Sequence, residues 1–400
     1  MTMKLLSMMT GGEWVPLASE DPDDGKTVER NRETLKKSLL ESLRAENLIV
    51  LTGLGTSLCV YEGKERLAPT MADLWDAARN AAGANPFDEI LAKVRYVALE
   101  PDPDSSGKTR LKKDIELLLS HCQLAQAFSP EDVIAKFIRD TEQLIVAKCA
   151  FVKDGFTLGT HETFLRRVAR RSTRSPRTRL FTTNYDLCFE RAASGAGFIV
   201  LDGFSHTLPQ QFNSSYYAFD FVRRDDTLNA PDFLPNVFQL YKLHGSVDWD
   251  RRDDEVWRSS EPKNPVLIYP RDSKFELSYE PPFLEMMGRF LSALRQPKTA
   301  LLVIGFGFND KHLTQPVLSA IRSNVGLRIT VVDPALPSSQ NQAIGCLTDL
   351  VAHGDARISL VAAKFEEFVP LLPDLIAVSE EEQHESRFMR RHPRANEQQS

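Results

Sequence analysis

The chain has 400 residues, 42% hydrophobic and 26% charged, with a net charge of −6. That is an ordinary globular balance, long enough for one large domain with an insertion or for two domains, and its acidity does not suggest direct nucleic-acid binding. No uncharged stretch is long enough to cross a membrane, and the five scattered cysteines form no CxxC pair, so a structural zinc site is not expected and the thiols fit a reducing, cytoplasmic setting.

In chain order, residues 1–28 are polar with an acidic patch around 20–24 and read as a flexible arm. Residues 29–45 place Leu35, Leu39, Leu40 and Leu43 at helical spacing among charges. The run 47–52 is continuously apolar, as in a strand buried on both faces, and Gly53-Leu54-Gly55-Thr56-Ser57 follows at once. The stretch 70–171 reads as a helical insertion, with helices expected at 71–82, 86–97, 108–125, 130–148 and 161–171. Pro86, the loop 101–107 and Ser129-Pro130 punctuate it. The arginines of 166–174 read as the basic, solvated end of a helix, a phosphate or partner contact being the sharper alternative.

Strand patterns return at 179–183, 198–201, 236–244, 266–269, 301–305, 327–333 and 357–361, with helical stretches at 281–295 and 310–323 between some of them. This alternation predicts an α/β fold: a Rossmann-like doubly wound, mainly parallel sheet with a large helical insertion. One domain would run over 29–379, with the insertion at 70–171. Residues 380–400 are charged, Gln-rich and without apolar periodicity, and are expected to be disordered.

Ligands of such sheets bind at the carboxyl ends of strands, and polar or small residues cluster at five of them here. The Gly53-x-Gly55 turn suits a pyrophosphate, with Gly55 letting backbone approach closely; equally, many buried turns need glycine. Leu58 stands where the common dinucleotide fingerprint has its third glycine, which argues against an ordinary dehydrogenase. In Thr183-Asn184-Tyr185-Asp186, two short polar side chains either face the crevice or cap the next helix. His244, before Gly245 and Ser246, sits where catalytic groups collect, and imidazole titrates near neutrality, as a general base should. A second strand-to-glycine turn spans Gly305-Phe306-Gly307-Phe308-Asn309-Asp310, with Asn309 or Asp310 as a helix cap. Asp333 ends a further strand, placed either to accept from a ribose or simply to close a turn before Pro334.

Together and in this order, the Gly-x-Gly-x-Ser, Asn-x-Asp and His-Gly elements resemble the sirtuin-like family, and most closely its bacterial antiphage-defence branch. The resemblance departs at Leu54, where the family usually has alanine, and at 65–70, where deacetylating sirtuins carry Pro-Asp-Phe-Arg. It implies catalytic roles for Asn184, which would place the nicotinamide ribose and attacking water, and for His244 as base. It also implies cofactor contacts from Gly53, Gly55, Ser57, Asp186, Gly305, Gly307 and Asp333. NAD+ would be the substrate and no metal is called for. The implied activity is an NAD+ glycohydrolase that depletes NAD in defence, as a homo-oligomer paired with a HerA-type ATPase or another defence partner. A protein deacylase ranks lower, because the four-cysteine module that helps build its acyl-lysine tunnel is missing. A non-catalytic NAD or ADP-ribose binder is the third reading.

Overall fold

The structure is a computed structural model and describes residues 3–19, 24–102, 107–224, 232–269 and 281–375. Most of the acidic patch and the whole 380–400 tail lie outside the described residues.

The central sheet has nine strands: β1 (Lys4–Ser7), β2 (Val15–Pro16), β3 (Asn47–Thr52), β4 (Arg179–Thr182), β5 (Ile199–Leu201), β6 (Val237–Lys242), β10 (Thr299–Ile304), β11 (Arg328–Val332) and β12 (Ile358–Ala362). A small antiparallel sheet comprises β7 (Gly245–Arg252), β8 (Glu255–Arg258) and β9 (Pro265–Leu267). The helices among the described residues are α1 (Gly25–Leu43), α2 (Met71–Ala82), α3 (Ala84–Lys93), α4 (Ile115–Phe128), α5 (Asp132–Cys149), α6 (Gly159–Val168), α7 (Cys188–Gly195), α8 (Phe283–Arg295), α9 (Lys311–Ser323), α10 (Gln342–Ala352) and α11 (Phe365–Phe368).

The strand order is β2-β1-β12-β11-β10-β3-β4-β6-β5. The seven strands from β12 to β5 are parallel, and β1 joins β12 antiparallel. From β3 the chain lays β4 beside it, then β5 at the edge and β6 between β4 and β5, and afterwards returns to lay β10, β11 and β12 on the other side. The order therefore reverses between β3 and β10, the topological switch point at which doubly wound sheets bind their ligands.

The continuous apolar run of β3 now has its reason. Ile49 and Leu51 enter one core with Phe290 of α8 and Leu313 and Val317 of α9. Leu48 and Val50 enter the opposite core with Leu35 and Leu39 of α1, Phe164 of α6 and Phe189 of α7. Each such side chain, nearly fully buried, contributes about 1.5–3 kcal/mol. Helices α2–α5 share a third core around Trp75, Phe87 and Leu118, which continues onto Tyr185, Val247 and Leu267 beside the sheet.

Four expectations are corrected. The stretch read as a flexible arm supplies β1 and β2, which cap one sheet edge; Leu5 and Leu6 are buried in the two opposite cores, and helix α1 starts at Gly25. The helix expected at 108–125 begins only at Ile115: Thr109–Leu111 pairs with Leu99–Pro101 as a hairpin, and the Asp114 side chain caps the helix. Helix α6, inside the expected insertion, packs on the sheet through Phe164, Leu165 and Val168 rather than with α2–α5. Finally, the single strand expected at 236–244 breaks after Lys242, and Gly245 opens the small sheet.

The arginine cluster at the end of α6 serves structure. Arg167 donates to the Leu372 carbonyl at 2.6 Å, and Arg171 donates to the carbonyls of Ala45 and Glu46 just past the end of α1.

Candidate active site

Four segments far apart in sequence meet at the switch point. The Gly53 turn leaves the end of β3 and the Gly305 turn the end of β10, two strands paired side by side. The turns interlock: Gly53 N donates to Ile304 O at 3.1 Å, Gly55 N donates to Gly305 O at 3.0 Å, and a Cβ on Gly55 would stand 2.5 Å from Gly305 Cα. Thr56 N and Ser57 N close the short helical turn onto Gly53 O and Leu54 O. The glycine pair therefore exists for backbone against backbone. The pyrophosphate contact expected of the Gly53-x-Gly55 turn finds no support in the N–H groups of Gly53, Gly55, Thr56 and Ser57, which all have protein acceptors.

Asn184 follows β4, beside β3. Its Nδ2 lies 3.0 Å from Gly53 O, 3.2 Å from Thr56 Oγ1 and 2.9 Å from Ser57 Oγ, which fixes the amide against the first turn. Ser57 Oγ in turn donates to Asp186 Oδ2 at 2.6 Å, and Asp186 Oδ1 accepts from Cys188 N at 3.0 Å at the start of α7. Asp186 thus accepts from the first N–H of the helix from one position before its N-cap, Leu187, and also joins the polar chain behind Asn184. Beneath this loop the buried ammonium of Lys242, the last residue of β6, donates to the carbonyls of Tyr185 and Asp186 and to Glu190 Oε1. Its two carbonyl contacts hold the loop from below.

His244 lies two residues beyond Lys242, whose register partner on β4 is Thr182, so His244 and Asn184 stand side by side past the ends of adjacent strands. Gly245 makes the turn: its φ is +93°, and a Cβ there would sit 1.9 Å from Val266 O. His244 Nε2 is 2.9 Å from Asp310 Oδ2, although the ring is out of line for a hydrogen bond. Asp310 Oδ1 accepts from His312 N at 3.0 Å and caps α9.

Gly53, Asn184, Asp186, His244, Gly305 and Gly307 line one cavity of about 210 Å³. Ala68 and Pro69, from the segment that departs from the deacetylase pattern, line it too, as do Met71, Glu116 and Cys149 of the helical block. Asp333 lines an adjoining cavity of about 510 Å³ that shares Phe306, Gly307 and Asn309 with the first. Burial pushes the Asp333 carboxyl above its usual range, opposed by a hydrogen bond from Ala335 N. Ser57 is fully buried behind Asn184. Tyr185 OH lies 2.8 Å from Glu116 Oε1 and 2.9 Å from Ile268 O, tying α4 to the loop. Sequence reasoning missed Lys242 and Glu116, which carry no local motif, and read Asp310 only as a cap.

A mainly parallel, doubly wound α/β sheet with a polar cleft at its reversal point is the class in which nucleotides bind. Within it, residues 178–344 match the family model described as "SIR2-like domain", which supports a sirtuin-like domain and an NAD-related function. The matched stretch includes Asn184, His244, Gly305 and Asp333, and the Gly53 turn lies outside it. No curated protein matches the sequence. Among solved structures, cytosolic 5'-nucleotidase IIIB bound to cytidine is similar at 12% identity and a TM-score of 0.29, over 93% of this chain and 97% of that one. Among the described residues no helix is long and apolar enough to cross a membrane.

Proposed function

We propose that the protein is an NAD+ glycohydrolase, releasing nicotinamide and ADP-ribose. The observation that carries the reading is the presence of Asn184 and His244 on the wall of one cavity at the switch point. The nicotinamide ribose is assigned to that cavity, and the adenosine half to the adjoining one, past Gly307 toward Asp333.

The chemistry asks little of the protein. The pyridinium is already cationic, so the ribosyl C–N bond breaks with its electron pair leaving on nicotinamide, with no acid to protonate the leaving group. Water adds to the oxocarbenium-like carbon and gives up a proton. Positioning by Asn184, a base at His244 and a largely buried pocket meet those needs. The amide of Asn184 is held by the first turn, which fixes its oxygen for a ribose hydroxyl or water.

The test is nicotinamide release from NAD+ by the full chain. Wild type is expected to turn over, and Asn184→Ala and His244→Ala to lose turnover while remaining folded. A deacylase would instead need an acyl-lysine peptide to release nicotinamide, and a binding module would hold NAD+ unchanged. The wider role rests on the resemblance of the motifs alone: an NAD-depleting effector of bacterial antiphage defence, cytoplasmic, oligomeric and partnered by a HerA-type ATPase. Repeating the assay with the product of the neighbouring gene tests the partner.

A further inference from the structure

Asp310 has a second use that its capping role does not explain. Oδ1 satisfies the helix: it accepts from His312 N at 3.0 Å, as an N-cap aspartate does. Oδ2 does not. It is buried, has no hydrogen-bond partner, and stands 2.9 Å from His244 Nε2, with both side chains only 10% exposed. A buried carboxylate oxygen without a donor is costly, and natural structures retain such a group where it serves something. The residue lies on the wall of the cavity that holds Asn184 and His244. The other titratable groups on that wall are Asp186, Glu116, Tyr185 and Cys149. Asp186 is already bonded to Ser57 and Cys188, and Glu116 to Tyr185. Asp310 is the carboxylate within reach of the imidazole.

We infer that Asp310 is the positioning residue of His244: its Oδ2 receives the Nε2–H of the imidazole, so that Nδ1 carries the lone pair and takes the proton in the reaction. This deepens the proposed function and rests on it for the kinetic part. The proton leaves the attacking water or a ribose hydroxyl for Nδ1, an imidazolium forms, and the adjacent carboxylate stabilises that charge without itself being protonated. Such hydrogen bonds are often poorly aligned before substrate fills a site. The pairing joins the β6 end to the start of α9, across the switch point.

The variant to use is Asp310→Asn, because asparagine also caps helices and preserves the Oδ1 contact. The first readout needs no turnover: nitrogen-15 histidine spectra of the full chain, with His244 assigned by its loss in His244→Gln. Wild type is expected to show the Nε2–H tautomer, and Asp310→Asn a shift of the tautomer population toward Nδ1–H. Kinetically, kcat with NAD+ should fall about 100-fold in Asp310→Asn with KM changed less than about threefold, and Asp310→Glu should restore part of it. An identical tautomer of His244 in wild type and Asp310→Asn overturns the pairing. Absence of nicotinamide release in wild type overturns the proposed function instead, and leaves the spectroscopic result to decide the pair.

Discussion

At the scale of single residues, the site depends on polar atoms that have few alternatives. Ser57 stands between Asn184 and Asp186, accepting from one and donating to the other at 2.6 Å. Ser57→Ala leaves a buried carboxylate oxygen without its donor, and is expected to cost about 1–3 kcal/mol in denaturant unfolding and to lower turnover through the freed Asn184 amide. Unchanged stability would mean that this chain of bonds carries no weight. Gly245 is stricter. Its positive φ and the backbone carbonyl 1.9 Å from a would-be Cβ leave alanine nowhere to go. Gly245→Ala should therefore destabilise by more than about 3 kcal/mol or prevent folding, as read by soluble yield and melting. His244 is in this sense placed by its neighbour: the glycine bend turns the chain off the parallel sheet where the imidazole is needed.

At the scale of elements, two turns lock the switch point together, and one helix reports on acid. Gly55→Ala would push its Cβ into the Gly305 backbone, so the ends of β3 and β10 must separate. Faster amide exchange at the ends of these strands and loss of turnover are expected; native exchange in the variant would contradict the interlock. Helix α6 carries His161, fully buried against Phe189 and Phe365. Desolvation pushes its imidazole down from 6.5 to about 4. The unfolded chain therefore binds the extra proton between those values. This group leaves stability intact above about pH 6.5 and removes it as the pH falls toward 4, by about 3 kcal/mol in all. His161→Phe should flatten the slope of stability against pH in that window, measured by denaturant melts at stepped pH.

Elements were legible where sequence carries its own periodicity. The helix expected at 71–82 is α2 to the residue, and the strands of the parallel sheet fall within a few residues of their apolar runs. Those runs are long because both faces of the sheet are covered. What failed was short or distant. Four residues of β1 cannot display a period, and their partner β12 lies some 350 positions away along the chain. The hairpin at 99–111 was hidden under charges that fit a helix surface equally well. Within the site, Asn184 and His244 were visible because a polar residue directly after a buried strand stands out. Lys242 was not, since a lysine closing a strand reads as an exposed end until the carbonyls it meets are known. Asp310 was visible only as a cap, because its second oxygen acts across the sheet rather than along the chain.

At the scale of the whole molecule, the doubly wound sheet brings strand ends together, and the helical block closes over them. Met71, Glu116 and Cys149 come from that block and line the same cavity as His244, so this block shapes the pocket as well as extending the surface. In the function proposed above, the chain segments around 53, 184, 244 and 305 enclose a single dinucleotide. A crystal structure of His244→Gln, a variant expected to bind NAD+ without consuming it, tests this most directly after soaking with NAD+. The nicotinamide ribose should lie between positions 184 and 244, with the adenosine half running past Gly307 to Asp333. A dinucleotide bound elsewhere, or none at saturating concentration, would contradict the account.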